Sequence, residues 1–144
     1  MEIEGKIWKA GKFWLVEVPF LDVMTQGKSE KDAQKMIRDA ILELVASYFP
    51  AKLLKDFEVY VHSYGKGIIG ISTTNANLLS AFALIRQREI SGVTIREASA
   101  KLGATSPNAY AQYERGTTNI SIGQFEKLLI AANPQRHGFL RLVG

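Results

Sequence analysis

A change of periodicity divides this chain of 144 residues, and it constrains the fold more than any single motif. Up to Ser72 the apolar residues alternate in short runs around one long helical stretch; from Thr73 onward only short helical patterns remain. Residues 6–9 and 13–18 read as two strands about an Ala10-Gly11 turn. In the second strand Trp14, Val16 and Val18 share one face, and Phe13, Leu15 and Glu17 share the other. Pro19 has no amide donor and ends that strand, while residues 23–26, closed by Gly27, form a short third one. Ser29 is a helix N-cap with Asp32 in the first turn. Ala33, Met36, Ile37, Ala40, Ile41, Leu44, Val45 and Tyr48 then recur at helical spacing, and Pro50 lies past the last turn. Residues 57–62 return to period two, Gly65 and Gly67 mark a turn, and residues 68–72 make a fifth strand. The expectation is a β-β-β-α-β-β sheet with its helix on one side, joined through the polar hinge Thr73 to Asn77 to an all-α second half. The class is α+β, with domains at 1–73 and 74–144.

The second half is written in caps and stops. Residues 78–89 place Leu78, Phe82 and Ile85 on one stripe, with Asn75 or Asn77 available as cap. Thr94 and Glu97 form a T-x-x-E box before a helix that buries Ile95, Ala98 and Leu102, and Gly103 sits where a left-handed residue ends it. Ser106 caps a third helix with Pro107 at its first position, where a missing N–H costs nothing. Ser121 and Gln124 form an S-x-x-Q box ahead of Ile122, Phe125, Leu128 and Leu129, and Asn133-Pro134 stops that helix.

Charge follows the same division. Residues 1–72 hold 10 Lys+Arg and 10 Asp+Glu, a net of zero, whereas residues 73–144 hold 8 and 4, a net of +4. The excess directs any polyanion to the second half. There is no cysteine, so neither a disulfide nor a thiolate metal site can form. The start MEIEGKIWKAGKFW is too charged for a secretory leader, and no apolar run reaches bilayer-spanning length. A soluble, cytoplasmic protein is expected, without membrane contact and without a cofactor.

A helix, a tight glycine turn and a second helix opening on small polar residues is helix-turn-helix grammar. The second helix must offer its N-terminal side chains to the major groove while its far face anchors in the core. Tyr110 and Tyr113, three apart, form that anchor, which leaves Asn108, Ala109 and Gln112 pointing away. Asn and Gln amides suit adenine edges and alanine suits a thymine methyl. Thr94, Ser106, Arg115 and the loop Thr117, Thr118 and Asn119 are the candidates for phosphate.

The segment "TIREASAKLGATSPNAYAQYERG", residues 94–116, resembles the Xre/Cro class, and "SIGQFEKLL" resembles its fourth helix. One extra residue between Gly103 and Glu114 matches the version found in HicB-family antitoxins that carry a C-terminal DNA-binding domain. "FWLVEVPFLDVMTQGKSEKDAQKMIRDAI", residues 13–41, is similar to the HicB N-terminal module, a degenerate RNase H-like fold. The resemblance covers the chain up to Pro134. It implies an antitoxin of a type II toxin-antitoxin system, with a HicA-like mRNA-cleaving toxin and double-stranded operator DNA as partners, acting as a homodimer or higher homo-oligomer. Phe20, Leu21 and Asp22 are the expected toxin contacts.

The same fold name raises a nuclease reading, for which carboxylates would have to converge on a metal. Glu4, Glu17, Asp22, Asp39 and Glu43 are available, but Asp39 and Glu43 flank the apolar stripe of the long helix and read as its solvated edge. His62 has no cysteine or second histidine near it in sequence to make a metal ligand. Trp8 and Trp14 read as core or sheet-face residues. No catalytic or metal-binding residue is expected, and the chain is not expected to be an enzyme.

Overall fold

The computed structural model describes residues 1–136, so the end of the expected second half, 137–144, lies outside the described residues. Five strands, β1 (Ile3–Ala10), β2 (Phe13–Val18), β3 (Val23–Gly27), β4 (Val59–Gly65) and β5 (Ile68–Thr73), form one sheet in the order β3-β2-β1-β5-β4. Every pairing is antiparallel. The element order is the expected one, with longer first and shifted fourth strands. β1 starts at Ile3 because Ile3 and Gly5 pair with Ile71 and Ile69, burying Ile3 and Ile7 while Glu4 and Lys6 stay exposed. Phe57 is buried but precedes β4.

One sheet face carries Ile3, Ile7, Val16, Val18, Val23, Val59, Ile69 and Ile71, all buried. Helix α1 (Glu30–Tyr48) closes this face with Ala33, Ile37, Ile41 and Val45. Its start follows the cap grammar: the Asp32 N–H donates to Ser29 Oγ at 3.0 Å, and the Lys28 N–H donates to Asp32 Oδ2 at 2.8 Å. Met36, expected in the stripe, is 42% exposed at its edge.

Helix α2 (Ala76–Ser91) departs from the one-stripe expectation. Leu78, Leu79, Ala81, Phe82, Ala83, Leu84 and Ile85 are all buried, so the helix is enclosed on nearly every side. The physical reason is that it serves two cores. Most of these residues join the sheet core, while Leu84 packs with Val93, Ala98, Tyr110 and Leu128 of the helical half. A helix apolar all round is a buried helix, and here its walls are supplied from both sides.

The polar run before α2 is fastened and does not act as a free hinge. Thr74 N–H donates to the Glu58 carbonyl, Thr74 Oγ1 donates to the Asp56 carbonyl, and Asn75 caps α2 by accepting from Leu78 N–H at 3.0 Å. After α2 come α3 (Ile95–Lys101), α4 (Asn108–Ala111) and α5 (Ile122–Ala132). No helix among the described residues is long and apolar enough to cross a membrane.

Candidate nucleic-acid interface

Helix α3 begins with the full reciprocal box: Glu97 N–H donates to Thr94 Oγ1 at 3.1 Å and Thr94 N–H donates to Glu97 Oε1 at 3.4 Å. Gly103 then turns the chain at φ +80°, a conformation an L side chain would strain. Ser106 Oγ accepts from Asn108 N–H at 3.3 Å, and Pro107 already has helical angles, φ −57° and ψ −27°. The helix that follows is not uniform. It makes one α-turn, residues 108–111, and tightens into a 3₁₀ turn over residues 112–115, ending at Gly116 with φ +80°.

Three anchors hold this helix. Tyr110 is fully buried. Ser99, a buried residue of α3, donates from Oγ to the Pro107 carbonyl at 2.8 Å and accepts from Tyr110 N–H at 3.1 Å. Tyr113 Oη accepts from Gln124 Nε2 at 2.6 Å. That last bond corrects one expectation: Ser121 does cap α5 by accepting from Gln124 N–H, but the Gln124 side chain turns to Tyr113 and leaves the reciprocal half of the box unmade.

A buried ion pair fixes the far end. Arg88 of α2 grips the Glu114 carboxylate with Nε at 3.0 and 2.9 Å from its two oxygens and Nη2 at 2.9 Å. Burial raises the Glu114 carboxyl above the ordinary carboxylate range, and the Arg88 guanidinium pulls it partly back. Burial also raises the Tyr110 phenol. Its hydroxyl lies beside the Arg88–Glu114 pair but makes no hydrogen bond of good geometry with it or with any other described group. Gly116 has no room for a side chain, since a Cβ there would lie 2.5 Å from Leu78 Cδ1. Ser99, Arg88 and Glu114 were not singled out in the sequence as anchors. A serine and an ion pair inside apolar stripes were the only local signals.

With Tyr110 inside, Asn108 is exposed and Ala109 and Gln112 are half-buried. Arg115 Nη2 donates to Asn108 Oδ1 at 2.8 Å. Thr117 is exposed, Thr118 Oγ1 donates to the Gln112 carbonyl at 3.5 Å, and Asn119 Oδ1 accepts from Asn77 Nδ2 at 2.6 Å. Thr94 and Ser106 are exposed at the two helix starts. Arg88 is spent on Glu114, and Arg86 on Asp22 and Glu89. Arg96, Lys101, Arg115 and Lys127 are left as exposed cations of α3 to α5.

The loop Phe20, Leu21 and Asp22 has a different occupation from the partner contact expected of it. Leu21 is fully buried and cannot touch a partner while the loop stays closed, and Phe20 packs edge-on against Phe125 of α5 at 6.5 Å. Four successive carbonyls here accept from side chains of the helical half. Arg136 donates to Pro19, Gln87 to Phe20 at 2.7 Å, and Arg86 to Leu21 at 2.9 Å and Asp22 at 2.7 Å. Asp22 alone of the three is exposed.

Of the carboxylates considered for metal, Asp22 pairs with Arg86 and Asp39 with Arg38. Among the described residues no group of three or more His, Cys, Asp or Glu is placed to hold a metal ion. His62 instead contacts the Glu2 carboxylate through Nδ1.

No curated protein and no solved structure matches the chain. Residues 84–133 match the family model described as Helix-turn-helix, which begins inside α2 and ends just past α5. Together with the anchored, outward-facing helix, this supports a DNA-binding transcription regulator carrying an Xre/Cro-type helix-turn-helix.

Proposed function

We propose that this chain represses an operon by binding double-stranded operator DNA as a homodimer, and that it neutralises a HicA-like mRNA-cleaving toxin encoded beside it. The observation that carries the DNA half is the division of the short helix into a buried side, Tyr110, and an outward side, Asn108, Ala109 and Gln112. On this reading those three meet base edges in the major groove. Thr94, Ser106, Arg115 and the loop from Thr117 to Asn119 meet phosphate and set the register.

The toxin half rests on the resemblance of residues 13–41 to the HicB module, a degenerate RNase H-like fold, and on the order of the two modules. With Leu21 buried, the neutralising contact falls to exposed parts of the sheet module such as Asp22, Met36 and Leu42. It blocks the toxin sterically and needs no chemistry from this chain.

The test is a pair of measurements. The adjacent reading frame should encode a small basic protein that is toxic alone and copurifies with this chain. Replacing Asn108 and Gln112 with alanine should abolish operator binding and leave neutralisation intact. Loss of both activities in that variant would refute the division of labour.

A second reading is a stand-alone regulator whose sheet module senses a ligand. One observation favours it: a groove of about 460 Å³ lined by Lys55, Asp56, Thr74 and Asn77 at the start of α2. Its signature would be the absence of a toxic neighbour and a small molecule that changes operator affinity.

A further inference from the structure

We infer that Ser99 of α3 is a positioning residue for base recognition: it touches no DNA itself and holds the first turn of the reading helix at one angle. This rests on the DNA half of the proposed function. Helix α4 has four residues, one turn, and a helix that short does not hold its own shape in water. Its own start supplies little. Pro107 gives no side-chain cap bond, and Ser106 covers the N–H groups of Asn108, through Oγ at 3.3 Å, and Ala109, through its carbonyl at 3.1 Å. The next N–H, on Tyr110, reaches the Pro107 carbonyl at 3.3 Å and Ser99 Oγ at 3.1 Å. Ser99, 1% exposed, also donates from Oγ to the Pro107 carbonyl at 2.8 Å. The reading helix is therefore capped from its neighbour, by one buried hydroxyl that both accepts and donates.

The direction of these bonds separates Ser99 from an ordinary serine in a helix, which returns its hydroxyl to a carbonyl of its own helix. Ser47 does so to Leu44 and Ser80 to Ala76. Ser99 instead uses its donor and its acceptor on the turn that follows Gly103. The two bonds end on Pro107 and Tyr110, on either side of Asn108 and Ala109, which the proposed reading places at base edges. The Tyr110 ring fills the core, but apolar contact is non-directional and sets no angle. Two hydrogen bonds to one oxygen on a packed helix do set one, and base edges are told apart by hydrogen-bond geometry. The proposed phosphate contacts come mostly from outside this turn, from Thr94, Arg115 and the loop Thr117 to Asn119. Loss of the Ser99 hydroxyl should therefore weaken the reading of sequence more than the attraction to a duplex.

The test compares two probes on the full chain: a duplex that the wild type enriches from a randomised library, and a scrambled duplex of equal length. Ser99→Ala should narrow the preference between them by about tenfold, while affinity for the scrambled duplex stays within about twofold and its salt dependence is unchanged. Ser99→Cys fills the space but offers only a weak donor and acceptor, so it should follow the alanine variant. Amide hydrogen exchange in the absence of DNA should quicken at residues 108–111 in both variants and stay as in the wild type across α2 and α5. An unchanged preference, or an equal loss on both duplexes, overturns the positioning role. So does unchanged exchange at residues 108–111, and so does full preference in the cysteine variant, which would make volume the cause. The DNA reading is checked apart from this by Asn108→Ala with Gln112→Ala. A wild type that enriches no sequence, or whose preference survives that pair, overturns the DNA reading and the role of Ser99 with it. A preference that the pair abolishes and Ser99→Ala leaves intact overturns only the role of Ser99.

Discussion

Arg115 holds the amide oxygen of Asn108 at 2.8 Å, across the outward side of the short helix. An asparagine that reads adenine must accept through that same oxygen while it donates through its nitrogen. The bond orients Asn108 in the free protein, and on the proposed reading it is exchanged on DNA, with Arg115 turning to phosphate. Arg115→Ala should lower operator affinity and reduce the steepness of its salt dependence by about one phosphate contact. Asn108→Ala should cost about 1–3 kcal/mol at one base pair and leave the salt dependence nearly unchanged. Fluorescence anisotropy at several salt concentrations separates the two, and equal salt slopes for both variants would contradict the assignment.

The Arg88–Glu114 pair should behave as a buried pair whose halves need each other. Glu114→Gln leaves a guanidinium with reduced compensation and should cost about 3 kcal/mol in urea denaturation. Replacing both partners, Arg88→Met with Glu114→Leu, should recover most of that loss. A double variant as unstable as the single one would show that the pair contributes more than mutual neutralisation.

Tyr110 offers the opposite case. Its ring fills the core between α2, α3 and α5, but its hydroxyl makes no hydrogen bond of good geometry. Tyr110→Phe should therefore change stability by no more than about 1 kcal/mol in either direction. Tyr110→Ala should cost about 3–5 kcal/mol and weaken DNA binding with it. A large loss in the phenylalanine variant would mean that the hydroxyl is satisfied in solution.

Gln87 is buried and bridges the Phe20 carbonyl to the Asn133 amide, which donates to it at 3.1 Å. Gln87→Leu should leave both groups unpaired and cost about 1–3 kcal/mol. Thermal unfolding should remain a single transition, because α2 lies in both cores. Two separated transitions in the wild type would contradict this coupling.

Hydrogen bonding from His62, then from Tyr64, holds the Glu2 carboxyl below its ordinary value of 4.5. A carboxyl lowered on folding adds stability above its unfolded pKa, and that contribution is lost as pH falls through the folded pKa. Glu2→Gln should therefore lower stability slightly at neutral pH, match the wild type at the acid end, and so flatten the fall below about pH 4.5. The effect is small because water screens this surface cluster.

The local grammar of the chain was legible where one rule decides. Ser29, Asn75, Thr94 and Ser121 cap helices as their residue types predict, and the period-two runs locate all five strands. Tyr110 was legible as an anchor from its spacing. The less legible features all needed a second partner distant in sequence. Gln124 could close a box or reach Tyr113, and only packing decides between them. Met36 belongs to the stripe by spacing and to the surface by position. Phe20 and Leu21 read as an exposed loop because their binding partners, Gln87 and Arg86, lie 67 and 65 residues away.

The all-round burial of α2 bears on how this molecule measures DNA. A reader attached by a free tether can adapt to several half-site separations. Here the helix that walls the sheet core is also the first helix of the reader, and the loop after β2 is bolted to it by three carbonyls. In the proposed homodimer each protomer is thus a rigid arm, and the spacing between the two readers is set by wherever the protomers join. The proposed homodimer would be a caliper with a fixed gap, and an operator altered by a single base pair between its half-sites should lose the second arm altogether.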